Sequence, residues 1–479
     1  MTGAVFPAWA STPAVPKAAF AHQPSMPGLL SPRHFGVVAP AFPSHFSALA
    51  ALAGELIRRG HRVTFLHRPD AAAYLGTRIA STLHGRAGDA GGTLISGIAF
   101  QALGIQRFPP GSMEVALRRA ASPGSPLGLR EVILDMAAAT DMLCEELPNA
   151  IEALRIDALL GDQMEAAAGL VAEALQLPLI SVACALPVNR EAGVPLPVMP
   201  FGYDASERGL QMVAGSSCVY DWIMTPHRRA IERQARRLGL PARGAMHECL
   251  SPLAQISQTI AGFDFPRQHL PANFYHVGPL RAGSGTQDTI TPLPAFDQGR
   301  PLVFASLGTL QGQRFGAFKR IARACRALDV QLLAAHCGGL SEHQAKAIEH
   351  AGTPGATLVC AFAPQQAALA RANAVVTHAG LNTVMDAIAT ATPMLALPIA
   401  FDQPGVAARV SHAGIGRRAS ARISGASTLA AHLRALLSDS SYQRSLAPLS
   451  AELAQAGGTA RAADVVEQAL ARAPAGEPA

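Results

Sequence analysis

The sequence predicts an α/β protein of two doubly wound domains facing each other across a cleft. Three observations carry this expectation. The 479 residues exceed the roughly 250 to 300 at which a single hydrophobic core stops growing. Short apolar runs alternate with amphipathic stretches in a strand, helix, strand order that recurs in both halves. The alternation lapses once, over "HVGPLRAGSGTQDTITPLPAFDQGRP" (276–301), where Gly, Pro, Ser and Thr cluster without periodicity as they do in a linker.

Residues 1–32 are rich in Pro and Ala, with Lys17 the one residue among them that is Lys, Arg, Asp or Glu. The prolines interrupt the continuous apolar centre that a secretory signal needs, so this stretch reads as a disordered extension, with Met26 an alternative start. The first domain spans 33–280. "HFGVVAP" (34–40) is its first strand, and "HFSALAALAGELIRRG" (45–60) sets Leu49, Leu52, Ala53, Leu56 and Ile57 at helical spacing before a Gly60 stop. "HRVTFL" (61–66) is the next strand, and "DALLGDQMEAAAGLVAEALQLPLISV" (157–182) repeats the pattern. A linker at 281–300 leads to a second domain over 301–455. Its strands are 302–308, 330–337, 357–362, the "AVVTHAG" run and 394–399. Its helices lie near 315–328, near 341–351, from Leu381, and from Pro404 to about His412. Helices from about 427 to 473 close the chain, and the segment 456–479 is expected to cross back to the first domain. Both halves are thus Rossmann-like.

Composition narrows the function. Hydrophobic residues make up 49% and mean hydropathy is +0.21, yet no apolar run reaches the roughly 18 residues of a membrane-spanning helix. The net charge of +6 is not gathered into a stripe and aromatics are only 5%, which argues against nucleic acid as a partner. The densest basic stretch, "DWIMTPHRRAIERQARRLGL" (221–240), reads as a solvated helix face, or as one resting on an anionic membrane. Seven scattered cysteines without a C-x-x-C suggest core thiols in a reducing cytoplasm, with neither a disulfide frame nor a zinc site.

The chemistry-bearing residues of the second half collect at strand ends. In "VVTHAGLNTVMDA" (375–387) a buried strand hands over to a helix N-terminus, whose free N–H groups attract phosphate. His378, Asn382 and Thr383 add side-chain donors there, and Gly380 lets the backbone come close. Asp386, one turn on, is placed to accept from ribose hydroxyls. "FAPQQ" (362–366) brings Phe362 for stacking and Gln365 for holding a base; "AFDQPG" (400–405) brings Asp402 and Gln403 for sugar hydroxyls; "FASLGT" (304–309) brings Ser306 and Thr309. Each piece alone has a plain structural reading, such as a core histidine or a helix cap. Together they read as a nucleotide-sugar site.

"FAPQ", "THAGLNTVMDA" and the later "DQ" resemble the signature of the UDP-glycosyltransferases, and the resemblance runs from His34 to about Leu470. Stretches such as "GDQMEAAAGLVAEA", "FASLGTLQGQR" and "LALPIAFDQPGVAARV" are most similar to the family's bacterial zeaxanthin-glucosylating branch. The resemblance implies the GT-B architecture of two Rossmann-like domains. It implies that Phe362 stacks on uracil beside Gln365, that His378, Asn382 and Thr383 bind the diphosphate, that Asp386 holds ribose, and that Asp402 and Gln403 contact glucose. The sequence departs from plant members, which usually carry Trp at the positions of Phe362 and Leu381 and Glu at that of Asp386.

Moving a sugar onto an alcohol requires a base near the acceptor. His45, in the loop after the first strand, is the candidate, with Asp162 at the end of a later strand as its orienting partner; both coincide with the family's catalytic pair. The expected reaction is an inverting, metal-independent transfer of glucose from UDP-glucose, a co-substrate, with no bound cofactor. The acceptor is a lipophilic alcohol, by resemblance the terminal hydroxyls of a carotenoid such as zeaxanthin, and the apolar, Pro-rich first-domain loops 94–116 and 186–203 are its expected site. Other lipophilic acceptors, a macrolide, flavonoid or sterol, are the alternative. A nucleotide-sugar epimerase shares the architecture, and "GIGRRA" (414–419) weakly matches a dinucleotide fingerprint, although it follows a helix. A monomer, cytoplasmic with peripheral contact at the inner face of the membrane, completes the expectation.

Overall fold

The computed structural model describes residues 31–75, 97–122, 125–282, 293 and 295–472. Met1–Ser31 separates from Pro32–Ala479 as a unit of its own. The expected disordered extension lies outside the described residues except for its last two positions, as does most of the expected linker.

The first sheet holds β1 (His34–Val38), β2 (Arg62–His67), β3 (Ile98–Ala102), β4 (Ala158–Asp162), β5 (Leu179–Ala183), β6 (Ala254–Ser257) and β7 (Phe274–His276). They pair in the order β3-β2-β1-β4-β5-β6-β7, all parallel. The second holds β8 (Leu302–Ser306), β9 (Gln331–Ala335), β10 (Thr357–Cys360), β11 (Ala374–Thr377), β12 (Met394–Ala396) and β13 (Gly416–Arg418), in the parallel order β10-β9-β8-β11-β12-β13. Parallel strands covered on both faces read as unbroken apolar runs, and β1, β4, β5 and β8 are buried at every position. The order reverses between β1 and β4 in one sheet and between β8 and β11 in the other, so each half has a topological switch point.

Local chemistry explains the boundaries. The first helix runs over Pro43–Arg58, two residues earlier than the hydrophobic spacing shows, because a proline in the first turn needs no N–H partner. The apolar run 394–399 yields only a three-residue strand: Pro398 has no N–H to continue the ladder. In "GIGRRA" Gly414 closes a helix and Gly416 opens β13, the reverse of a dinucleotide turn, and the fingerprint reading falls.

The arginine-rich stretch 221–240 presents the expected solvated face, with Arg228, Arg229, Arg233, Arg236 and Arg237 exposed, and packs its other side against the protein. Helix Thr225–Arg237 buries His227, Ala230, Ile231, Gln234 and Ala235. Arg233 pairs with Asp141 of the long helix Pro126–Leu154. A heptad of mixed residues conceals this, because the buried side is itself partly polar.

The last helix, Gly458–Arg472, packs on Pro43–Arg58. Val465, Val466, Ala469 and Leu470 share a core with Leu49, Leu52 and Leu56. Arg59 Nη1 donates to Asp464 (2.8 Å) and Glu467 (2.6 Å). The two sheet halves also touch directly: Arg409 Nε, fully buried, donates to Asp264 Oδ1 at 2.6 Å, and Gly405 N donates to the Pro197 carbonyl at 3.1 Å. Among the described residues no helix is long and apolar enough to cross a membrane.

Candidate active site

Both switch points open into one cavity of about 850 Å³ between the halves. His45 enters from the helix after β1, and Asp162 ends β4, the strand across the reversal. His45 Nδ1 lies 2.7 Å from Asp162 Oδ2, and the backbone N–H of Met164 donates to Oδ1 at 2.9 Å. The carboxylate can only accept, so Nδ1 carries the proton and Nε2 is the lone pair left for a substrate hydroxyl. Burial alone would lower the pKa of His45, but the Asp162 charge and hydrogen bond, with a contribution from Asp402, raise it above 6.5. Cys184 is close enough that one ligand atom from each of His45, Asp162 and Cys184 falls within 4.8 Å of the others. Such a set could hold a cation only by disturbing the hydrogen bond that orients the imidazole.

In the second half, His378 follows β11 and Ser306 ends β8, which pair through Thr377 and Ser306. Both line the cavity, with Thr309, Gln365, Gly380, Asn382, Thr383, Asp402 and Gln403. The imidazole of His378 is wedged between two glycines: a methyl at Gly380 would come within 2.4 Å of Nε2, and one at Gly308, where φ is +75°, within 2.6 Å of Cε1. Its Nδ1 is buried with no partner in hydrogen-bonding geometry among the described residues, and burial, against a smaller opposing contribution from the Ser306 backbone, pushes its pKa down to about 4, so the ring is neutral near pH 7. The backbone is strained where it enters the cavity. Ala379 (φ 65°) and Phe401 (φ 57°) adopt left-handed conformations that side chains seldom take.

The helix Leu381–Ala389 begins at Gly380 with no side-chain cap, so its first N–H groups are free for a ligand. Around it the sequence-predicted residues interlock. Gln365 Nε2 donates to Asp386 Oδ2 (2.7 Å) and Thr383 Oγ1 donates to Gln365 Oε1 (3.4 Å). Arg281, which sequence reasoning left at the edge of the linker, completes the network: it donates to Asp386 Oδ1 at 2.9 Å and to Asn382 Oδ1 at 3.3 Å. No periodicity or motif marks Arg281; only its place beside the helix does. Asp386 is therefore turned toward Arg281 and Gln365 and does not line the cavity, and Phe362, 64% exposed, stands outside the wall.

At the start of helix Gln403–His412, Asp402 Oδ2 accepts from Leu186 N across the cleft (3.2 Å), and burial raises its pKa. Gln403 Oε1 accepts from Ile399 N and Ala400 N, both at 2.9 Å, which leaves its amide NH2 as the donor group. The apolar wall of the cavity draws on other segments than the two expected. Segment 186–203 contributes Leu186, Val188, Leu196 and Met199, but the described part of 94–116 contributes nothing. Ile133 and Met136 of helix Pro126–Leu154, and Val219, Ile223 and Met224 from the helical pair beginning at Glu207, take its place. Their helical spacing reads as ordinary core in the sequence.

Two parallel doubly wound sheets joined by one cleft, with a hydrogen-bonded His–Asp pair at one switch point and an uncapped helix N-terminus at the other, form the two-domain architecture of the GT-B glycosyltransferases. A calicheamicin glycosyltransferase crystal structure matches this fold with a TM-score of 0.68 at 17% identity, over 93% of this chain and all of that one. The chain belongs to the UDP-glycosyltransferase family: the profile described as "UDP-glucoronosyl and UDP-glucosyl transferase" matches residues 37–452. It is 46% identical to the zeaxanthin glucosyltransferase of Pantoea ananas over 437 residues, covering 91% of this chain and 96% of that protein. It is equally 46% identical to the zeaxanthin glucosyltransferase of Pseudescherichia vulneris, over 91% and 98% of the two chains.

Proposed function

We propose that this enzyme transfers glucose from UDP-glucose, with inversion and without a metal, to the terminal hydroxyls of a carotenoid such as zeaxanthin, first one end and then the other. The observation that carries the reading is one cavity reaching both the His45–Asp162 pair and the glycine-flanked His378 at an uncapped helix. The names of the two 46% relatives supply the acceptor.

In this mechanism His45 Nε2 takes the proton of the acceptor hydroxyl as its oxygen forms a bond to C1 of the sugar. The bond from C1 to the β-phosphate oxygen breaks on the opposite face, and UDP leaves with the electron pair. Negative charge growing on the β-phosphate meets the N–H groups of Leu381 and its neighbours, His378 and Asn382. Asp162 stabilises the imidazolium that forms. Phe362 offers its exposed ring to uracil. Asp402 and the Gln403 amide hold the glucose hydroxyls. Asp386 reaches the ribose only by yielding part of its grip on Arg281 or Gln365. The scattered thiols favour a cytoplasmic setting.

A second reading, another lipophilic acceptor such as a macrolide, flavonoid or sterol, is favoured by the methionines of the wall, Met136, Met199, Met224 and Met246, because thioether chains adapt to many shapes. Incubation of the pure protein with UDP-glucose and zeaxanthin, scored by mass, tests the proposal. Mono- and diglucoside are expected. No product from zeaxanthin with product from another lipid alcohol would move the acceptor and keep the mechanism.

A further inference from the structure

The helix Glu207–Ile223 is apolar along much of its length, yet only Gly209 and Val213 are buried. Val219 is 55% exposed and Trp222, one turn on, is 77% exposed. Leu129 and Val198 are exposed as well, and with Val219 they line the cavity, which places all three at its mouth. Arg228 belongs to the same mouth and, like its neighbour Arg229, faces solvent. Isolated exposed apolar side chains are ordinary on a protein surface; a group of them around one opening marks an interaction site.

We propose that this rim docks on an anionic lipid bilayer, so that the acceptor passes from the membrane into the cavity without crossing water. The occupant follows from the chemistry of the rim. Trp is the side chain best suited to the depth of lipid headgroups, and guanidinium groups beside apolar residues complement anionic lipid. A second copy of the chain would bring arginine against arginine. The docking surface is also continuous with the apolar wall, so a lipid substrate meets no aqueous gap. This inference rests on the lipophilic-acceptor reading above.

The test uses the full chain and sedimentation with vesicles of phosphatidylcholine alone or mixed equally with phosphatidylglycerol. The wild type is expected to bind the anionic vesicles and to be released by salt. The variant W222E, altered at a side chain outside the cavity wall and one turn from Val219, is expected to bind about tenfold less. It should lose a similar factor of transfer to acceptor embedded in vesicles, and keep transfer to the same acceptor dissolved in detergent. Equal vesicle binding by variant and wild type overturns the proposal, as does absence of binding by the wild type. A concentration-dependent dimer that the variant abolishes would assign the rim to a second copy and also overturn it. Failure to glucosylate any lipid alcohol, in detergent or in vesicles, would instead sink the functional reading, whatever the sedimentation result.

Discussion

At the scale of single residues the site depends on which proton sits where. His45→Ala should lower kcat by about 10² to 10⁴ while UDP affinity, read by calorimetry, stays unchanged. Turnover near that of the wild type would remove His45 from the mechanism. As a base, His45 must be neutral, and Asp162 holds its pKa above 6.5 against the opposing pull of burial. The rate should therefore rise with pH through an inflection above 6.5. Asp162→Asn removes the charge that raises it, so the inflection should move to lower pH as the maximal rate falls. Arg281 acts differently. By occupying Asn382 Oδ1 it leaves the amide NH2 as that side chain's other polar group, and by pairing with Asp386 it neutralises a carboxylate beside the proposed site of the leaving diphosphate. Arg281→Gln should raise KM for UDP-glucose about tenfold, with a smaller change in kcat. Neutralising the orphaned acid with Asp386→Asn in the same chain should recover part of that loss, as a double-mutant cycle would measure.

At the scale of elements, what matters is how closely the loops after β8 and β11 approach each other. His378 is held by the absence of two Cβ atoms, at Gly308 and Gly380. Gly380→Ala leaves the backbone unstrained, since φ there is −65°, but puts a methyl where the imidazole lies. The ring must rotate away from the phosphate site. UDP affinity should fall at least about tenfold, or about 1.4 kcal/mol, while the melting temperature moves only slightly. Unchanged affinity would mean that His378 does not contact the diphosphate.

At the scale of the whole molecule, the two halves are tied by buried polar contacts as well as by the linker. Asp264, from the segment after β6, accepts from Arg409 and Arg267, and the Arg409 guanidinium also lies 4.1 Å above the Phe265 ring. Removing one partner of a buried pair strands the other charge, so Asp264→Asn should cost roughly 3 to 5 kcal/mol of stability in denaturant titration. Burial would raise the pKa of Asp264, but the two arginines outweigh it and hold the carboxyl below the ordinary aspartate range. A carboxylate with a lowered folded-state pKa contributes its stability above the unfolded value of about 3.9 and loses it as pH falls through the folded one. The wild type should therefore melt earlier as pH drops below about 4, and the Asn variant should show a weaker dependence.

The sequence by itself determined the alternation of strands and helices, most strands of both sheets though not β3, β6, β7 or β13, and the residues that gather at the strand ends. These follow from local patterns, such as the unbroken apolar runs of parallel strands and the histidine and glycines where β11 meets its helix. Ser306, Gln365, His378, Asn382 and Thr383 were legible because the carboxyl edge of a parallel sheet is fixed once strand and helix are known. Only the tertiary structure decided the rest. Arg281 reaches Asp386 across 105 residues of chain, and no local rule connects them. Helices 126–154 and 207–237 became the apolar wall of the cavity, because an apolar stripe at helical spacing looks the same whether it meets a core or an opening. Which of those faces stays uncovered depends on how the two halves close, and that is set by contacts between residues far apart in sequence, such as Asp264 with Arg409.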